Sequence, residues 1–277
     1  MRTLCLWTEK LKIGIQFPDE IRDTIENTIF SSHLRQQSNG FNKKYIIQKE
    51  KEKYLLIKEN KIINRNRKLH NIVYSLESRI IEDILKANRN KLILHSACVI
   101  FQDSAYLFIG NSGTGKTTIS LFLTSQGWEF AGDEFALLNI ENYQVTPLIR
   151  NVILKNELEL EKFLPHNCNK YKISEDLAFI NPNCLKKISK IKSYPISKAF
   201  FLTKNRTISI RKMSQTEVIQ NILPFIYNPY RLRKKLLNIL ENLVKTIRFY
   251  HLKIKHPLNL NKAETIYLIE KLTGDHP

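Results

Sequence analysis

The stretch Gly110-Asn-Ser-Gly-Thr-Gly-Lys-Thr117 follows an apolar run at residues 105–109 and precedes a segment with apolar residues at helical spacing. The run predicts a buried strand, and residues 118–125 predict a packed helix. In this setting the glycines let successive backbone N–H groups point at phosphates, the lysine adds a positive charge, and the last threonine can hold Mg²⁺. The alternative is a Gly/Ser/Thr-rich turn without a ligand, but the complete pattern predicts nucleotide binding. The predicted contact residues are Gly110, Asn111, Ser112, Gly113, Thr114, Gly115, Lys116, Thr117 and Thr118.

The composition is that of a globular protein, with 277 residues of which 43% are hydrophobic. No apolar run approaches the roughly 18 residues of a membrane helix, and the first residues lack a stretch of signal-peptide length. We therefore expect no membrane partner and a cytoplasmic location. The four cysteines, Cys5, Cys98, Cys168 and Cys184, form no CxxC pair, so neither a zinc site nor a disulfide framework is predicted.

The net charge of +18 comes from 44 Lys and Arg against 26 Asp and Glu. Such a charge favours an anionic partner, for example a nucleotide, an acidic peptide, a nucleic acid or a membrane surface. A biased genomic base composition rich in Lys, Ile and Asn codons explains it equally well. The basic residues are spread along the chain without a known nucleic-acid-binding motif, so a nucleic-acid partner is not expected.

The patterning predicts a small N-terminal β-rich region at residues 1–68 and a larger α/β domain at residues 69–277. Short apolar segments separated by polar linkers predict strands in the first region. Helical spacing predicts helices at 70–87, 214–222, 229–246 and 262–271, and residues 156–193 are expected to form loops and short helices. Further strands are predicted at 92–94, 97–100, 128–131, 135–140, 144–146, 198–202, 207–210 and 248–252.

Two acids, Asp133 and Glu134, follow the strand predicted at residues 128–131. One carboxylate could hold Mg²⁺ while the other takes the proton of an attacking hydroxyl, although acids at a strand end also commonly face solvent. His95 begins the strand that leads towards the loop. A lone histidine is more often structural than catalytic.

The segment from Leu94-His-Ser-Ala through the loop to Gly132-Asp-Glu resembles the catalytic core of the HPr kinase/phosphorylase family. The resemblance implies a P-loop core like that of HPr kinases and phosphoenolpyruvate carboxykinases. It also implies that Asp133 is the acid/base, that His95 supports it, and that Glu134 and Thr117 serve the metal. The chain lacks that family's Glu-x-Arg-Gly-x-Gly segment, and its layout is closer to the related lasso-peptide precursor kinases. Their basic segment corresponds to residues 147–155, where Arg150 could touch the transferred phosphate or form a structural salt bridge.

The sequence therefore predicts an ATP- and Mg²⁺-dependent kinase that phosphorylates a serine of a small protein or ribosomal precursor peptide. The acceptor would be acidic if the positive charge serves recognition, and self-association is left open. The alternatives are a bifunctional HPr kinase/phosphorylase and a P-loop nucleotide hydrolase or switch without a peptide substrate. No Asn-Lys-x-Asp guanine-binding motif is present, and the basic run at residues 231–235 is interpreted as the solvated face of a helix.

Overall fold

The computed structural model describes residues 1–8, 10–30, 34–36, 40–155, 160–168, 170–174 and 177–274. The chain divides into two compact units, each with both strands and helices. The first contains Met1–Arg89, Ile149–Glu157 and Asn167–Cys184, and the second contains Asn90–Leu148, Leu158–His166 and Leu185–Pro277. In the described part, no helix is long and apolar enough to cross a membrane.

The described strands, numbered in chain order, are β1 Arg2–Trp7, β2 Lys12–Phe17, β3 Leu34–Gln36, β4 Lys43–Glu50, β5 Lys53–Lys58, β6 Lys61–Asn66, β7 Lys91–Phe101, β8 Ser104–Ile109, β9 Glu129–Gly132, β10 Phe135–Asn139, β11 Val145–Pro147, β12 Val152–Lys155, β13 Lys170–Ser174, β14 Leu177–Ile180, β15 Ile196–Lys204, β16 Ser209–Lys212 and β17 Arg248–Ile254. The described α-helices are α1 Arg22–Thr28, α2 Leu69–Ala87, α3 Lys116–Ser125, α4 Gln215–Ile222, α5 Pro229–Leu232, α6 Leu236–Thr246 and α7 Lys262–Thr273.

The first unit contains a six-stranded sheet of order β3-β1-β2-β4-β5-β6. Helix α2 packs on this sheet with the apolar face that the sequence predicts, formed by Ile72, Leu76, Ile80 and Ile84. A buried polar cluster fastens the helix to the strands. The Tyr45 hydroxyl and the Lys58 ammonium each donate to the Asp83 carboxylate at 2.7 Å. Because both partners satisfy the buried acid, the cluster holds α2 in one position.

A second, three-stranded sheet of order β12-β14-β13 also belongs to the first unit. The expectation of loops and short helices at residues 156–193 is therefore wrong for β13 and β14, which pair with each other and with β12. The expectation of no disulfide is also wrong, because Cys168 and Cys184 form one with their Cα atoms 5.1 Å apart. Their separation of 16 residues matches no local cysteine motif, and the pairing follows from the fold that brings them together.

The second unit is built on a mixed sheet of order β11-β10-β7-β8-β15-β17-β16, with β9 also paired to β7. Strands β8, β15 and β17 are parallel neighbours. Alternate residues of these strands enter two separate cores. One core includes α3 and α7, and the other includes α4 and α6. Helices thus cover both faces, and the carboxyl ends of the parallel strands meet at one edge, where α/β proteins bind ligands.

Several predicted elements are confirmed and others differ. The predicted helices at 70–87, 214–222 and 262–271 correspond to α2, α4 and α7. The two strands predicted at 92–94 and 97–100 are one continuous strand, β7. The helix predicted at 229–246 is interrupted, because Arg233 has a φ of 36° and leaves the helical region between α5 and α6. The division into units also differs from the boundary expected at residue 68, since α2 and residues 149–157 and 167–184 group with the N-terminal strands.

Candidate active site

The loop of residues 110–115 connects β8 to α3, as the sequence predicts. Its turn requires glycine at two positions, because Gly113 and Gly115 have φ values of +81° and +99°. A methyl group built on Gly113 would meet nothing within 4 Å, so the outer side of the loop is open. Helix α3 begins at Lys116 without a side-chain cap or an acid in its first turn. Its first N–H groups lack intrahelical acceptors, which makes this end of the helix suitable for an anion.

Lys116 folds back over the loop that precedes it. Its ammonium donates to the Gly110 carbonyl at 2.7 Å and to the Asn111 carbonyl at 3.1 Å. The side chain is only 7% exposed. Burial lowers the pKa of Lys116 from its ordinary value, and the Asp133 and Glu134 carboxylates oppose that shift. Lys116 is thus a buried basic group hydrogen-bonded to the start of the loop.

Thr117 and Asp133 are joined by a hydrogen bond, in which the threonine Oγ1 donates to the carboxylate Oδ2 at 3.0 Å. Asp133 is buried, with 6% of its surface exposed. The bond brings the last residue of the motif to the first acid of the pair across 16 positions of sequence. Glu134 is half-buried and acts on Lys116 electrostatically. Lys116, Thr117 and both acids therefore form one cluster.

Gly132 controls how the acids leave strand β9, and the sequence analysis did not single it out. Its φ is +131°, and a methyl group built there would lie 2.9 Å from the Leu148 carbonyl oxygen. Glycine tolerates both the positive φ and the closeness of the Leu148 oxygen, because it has no Cβ atom. The Ser96 N–H donates to the Glu134 carbonyl at 3.1 Å and holds the acid pair against β7. The glycine directly before the two acids was the signal that could have identified this turn.

His95 lies on β7 opposite Phe135 of β10, the residue that follows the acid pair. Antiparallel partners share a face of the sheet, and the two rings are 6.4 Å apart. Phe135 in turn meets the ring of Tyr227 edge-on at 5.1 Å. His95 thus lies opposite the residue that follows the acid pair, and its catalytic role stays a prediction. Tyr227 had no local signal, since it lies 92 positions after Phe135.

Arg150 is the one predicted catalytic residue that clusters with the first unit instead of the second. Its guanidinium Nη1 contacts the Glu77 carboxylate of α2 at 3.3 Å, and both side chains are buried. This contact corresponds to the structural salt bridge that the sequence left open for Arg150. A role for Arg150 in binding the transferred phosphate stays a prediction.

The oxygen atoms of the cluster fit a magnesium ion that is shared with a nucleotide. Within the described ranges, no group of three or more His, Cys, Asp or Glu side chains could hold a metal by itself. Mg²⁺ commonly takes one or two carboxylates and completes its coordination with phosphates and water. The Thr117 hydroxyl and the Glu134 carboxylate could supply ligands of this kind, and the Asp133 carboxylate lies beside them.

Comparison with known proteins identified no matching family model and no matching curated protein. Among solved structures, the chain is similar to the Hpr(Ser) kinase/phosphatase from Coxiella burnetii. The two are 14% identical, and the match covers 65% of this chain and 96% of that chain with a TM-score of 0.34. The likeness is distant, and at this TM-score it carries no argument about activity.

Proposed function

We propose that this protein is an ATP- and Mg²⁺-dependent kinase that phosphorylates a serine of a small protein or precursor peptide. The observation that carries the proposal is the cluster in which Thr117 binds Asp133 at 3.0 Å beside the buried ammonium of Lys116. A phosphate loop, a metal-binding hydroxyl and a buried carboxylate are the parts that phosphoryl transfer needs in one place. The HPr-kinase-like order of these residues in the sequence favours a serine acceptor.

In the proposed nucleotide complex, the loop amides and the first turn of α3 bind the β- and γ-phosphates. Lys116 exchanges its bonds to the Gly110 and Asn111 carbonyls for phosphate oxygens. Thr117 and Glu134 would hold a Mg²⁺ ion, which would supply positive charge to neutralise the phosphates. This exchange is favourable because the buried ammonium gains a full opposite charge in place of two carbonyl dipoles.

The transfer step needs a base for the serine hydroxyl, and Asp133 is the residue that we assign to it. The serine Oγ attacks the γ-phosphorus, the bond from this phosphorus to the bridging oxygen breaks, and ADP leaves. The serine proton passes to the Asp133 carboxylate. Lys116 balances the negative charge that develops on the bridging oxygen. His95 would support the backbone around Asp133.

The test compares Asp133→Asn with Glu134→Gln. Asparagine keeps an oxygen that can accept the Thr117 hydrogen bond but cannot take a proton. Transfer from radiolabelled ATP to a serine peptide should therefore fall by about 10²–10⁴-fold, with Mg·ATP affinity largely retained. Glu134→Gln should instead raise the Mg²⁺ concentration needed for half-maximal activity. Wild-type transfer by Asp133→Asn would show that the base is elsewhere, and ATP hydrolysis without transfer to any serine peptide would favour the hydrolase alternative.

A further inference from the structure

The segment that connects α4 to α6 presents large side chains to solvent. Tyr227 is 53% exposed and Tyr230 is 67% exposed, and the neighbouring Leu223 is exposed as well. A tyrosine in a folded protein usually buries more of its ring than these two do. Clustered exposed aromatic side chains are a common mark of a surface that binds another protein or peptide.

The backbone of this segment is firmly attached to strand β7. The buried Asn228 accepts from the Ile93 N–H at 3.0 Å and donates to the Lys91 carbonyl at 2.8 Å. The Tyr227 N–H adds a third bond, to the Ile93 carbonyl at 2.8 Å. The two exposed tyrosines therefore stand on a rigid support, which lowers the entropic cost of binding to them.

The same segment is continuous with the candidate active site. The Tyr227 ring meets Phe135 at 5.1 Å, and Phe135 directly follows the acid Glu134 in sequence. Phe135 also contacts His95. A chain bound across Tyr227 would consequently lie beside the residues that we assign to phosphoryl transfer.

The charge of the segment is positive. The Arg231 guanidinium lies 5.8 Å from the centre of the Tyr230 ring, and Arg233 Nε donates to the Tyr230 carbonyl at 3.3 Å. Arg233 and Lys235 are exposed. The sequence has no Asp or Glu between Glu217 and Glu241. The segment therefore carries a net positive charge, which favours a partner that carries carboxylates.

We propose that Tyr227, Tyr230, Arg231 and Arg233 form a docking surface for the phosphate acceptor, here called the tyrosine–arginine surface. It selects a peptide segment in which carboxylates flank an aromatic or aliphatic side chain close to the serine. The apolar side chain packs on the tyrosine rings, and the arginines pair with the carboxylates. The inference rests on the proposed function, since it names the acceptor of that reaction, and it locates acceptor recognition on the second unit.

Binding is measured by fluorescence anisotropy with three fluorescein-labelled peptides, each with one serine. The first carries glutamates around a phenylalanine, the second has lysines for the glutamates, and the third has glycine for the phenylalanine. Only the first should bind well to the wild-type protein. Tyr230→Ala should weaken its binding by about tenfold or more, as expected for an aromatic hot spot, and Arg231→Gln should weaken it in the same direction.

Tyr267→Ala is the matched control, because Tyr267 is also exposed and has a lysine ammonium 5.5 Å from its ring centre. This variant should bind the first peptide like wild type. Equal binding of all three peptides, or unaltered binding by both surface variants, would overturn the proposal. Binding of phosphatidylserine vesicles but not of the acidic peptide, with loss in Tyr230→Ala, would also overturn it in favour of a membrane surface.

Peptide binding and phosphoryl transfer are measured separately, so that the two proposals can fail independently. Surface-dependent binding without any transfer from ATP would contradict the kinase assignment while supporting peptide docking. Transfer to the first peptide with the same KM in wild type and Tyr230→Ala would support the kinase and contradict the docking surface. Mg·ATP affinity, measured by calorimetry, should be the same in Tyr230→Ala and Tyr267→Ala.

Discussion

Replacing Lys116 by methionine isolates the charge of the proposed phosphate-binding loop, because methionine keeps most of the side-chain volume and removes the ammonium. An ammonium about 4 Å from a phosphate charge gains about 4 kcal/mol at an effective dielectric constant of about 20. To reach a phosphate, Lys116 must leave the Gly110 and Asn111 carbonyls. Each such hydrogen bond contributes about 0.5–1.5 kcal/mol net. The difference of about 1–3 kcal/mol predicts that Lys116→Met raises the Kd for Mg·ATP by about 5–150-fold.

The same substitution should change the stability of the nucleotide-free protein only a little. Burial lowers the pKa of Lys116, so the folded protein holds the charged form at a cost in free energy. Methionine removes that cost and also removes the two carbonyl hydrogen bonds. Because these changes oppose each other, we expect the free energy of unfolding of Lys116→Met to stay within about 1 kcal/mol of wild type.

Lys198 provides a matched control for this experiment. It is a buried lysine of the same unit, and its ammonium also donates to two carbonyls, those of Leu272 and Gly274 at the end of α7. Lys198→Met should lower the unfolding midpoint, since α7 loses a cation at its carboxyl end, and it should bind Mg·ATP like wild type. Calorimetry and thermal unfolding measure both effects. Unaltered Mg·ATP affinity in Lys116→Met, or equal loss in both variants, would refute the phosphate-loop assignment.

Three further predictions concern the same site. Gly132→Ala should cost about 1–3 kcal/mol in denaturant unfolding because of its φ and the Leu148 oxygen at 2.9 Å, and Gly113→Ala, which meets no neighbouring atom, should cost less. Thr117→Val should weaken the Mg²⁺-dependent part of ATP binding, measured by calorimetry with and without Mg²⁺, while Thr117→Ser should restore it. Nucleotide phosphates should raise the lowered pKa of Lys116, so binding in alkaline buffer should take up a proton. Calorimetry in two buffers of different ionisation enthalpy would detect that uptake, and its persistence in Lys116→Met would contradict this origin.

The sequence by itself determined the features that depend on neighbouring residues. The apolar run, the glycines and the Lys-Thr pair are contiguous, so strand β8, the loop and helix α3 could be predicted together. Hydrophobic periodicity and glycine content favour a secondary structure through residues that are close in sequence. The apolar face of α2 could be predicted for the same reason. The adjacent acids were recognisable as candidates, although nothing local indicated which of them contacts Thr117.

Only the tertiary structure decided the contacts between distant segments. Asp133 meets Thr117 because a glycine with positive φ turns the chain at Gly132. Tyr227 reaches Phe135, and Cys168 bonds Cys184, through the packing of elements far apart in sequence. Such contacts depend on how complete faces of strands and helices fit one another, which no short pattern encodes. The proposed phosphate-binding loop could therefore be predicted from neighbouring residues, whereas the side chains that surround it are brought there by the fold.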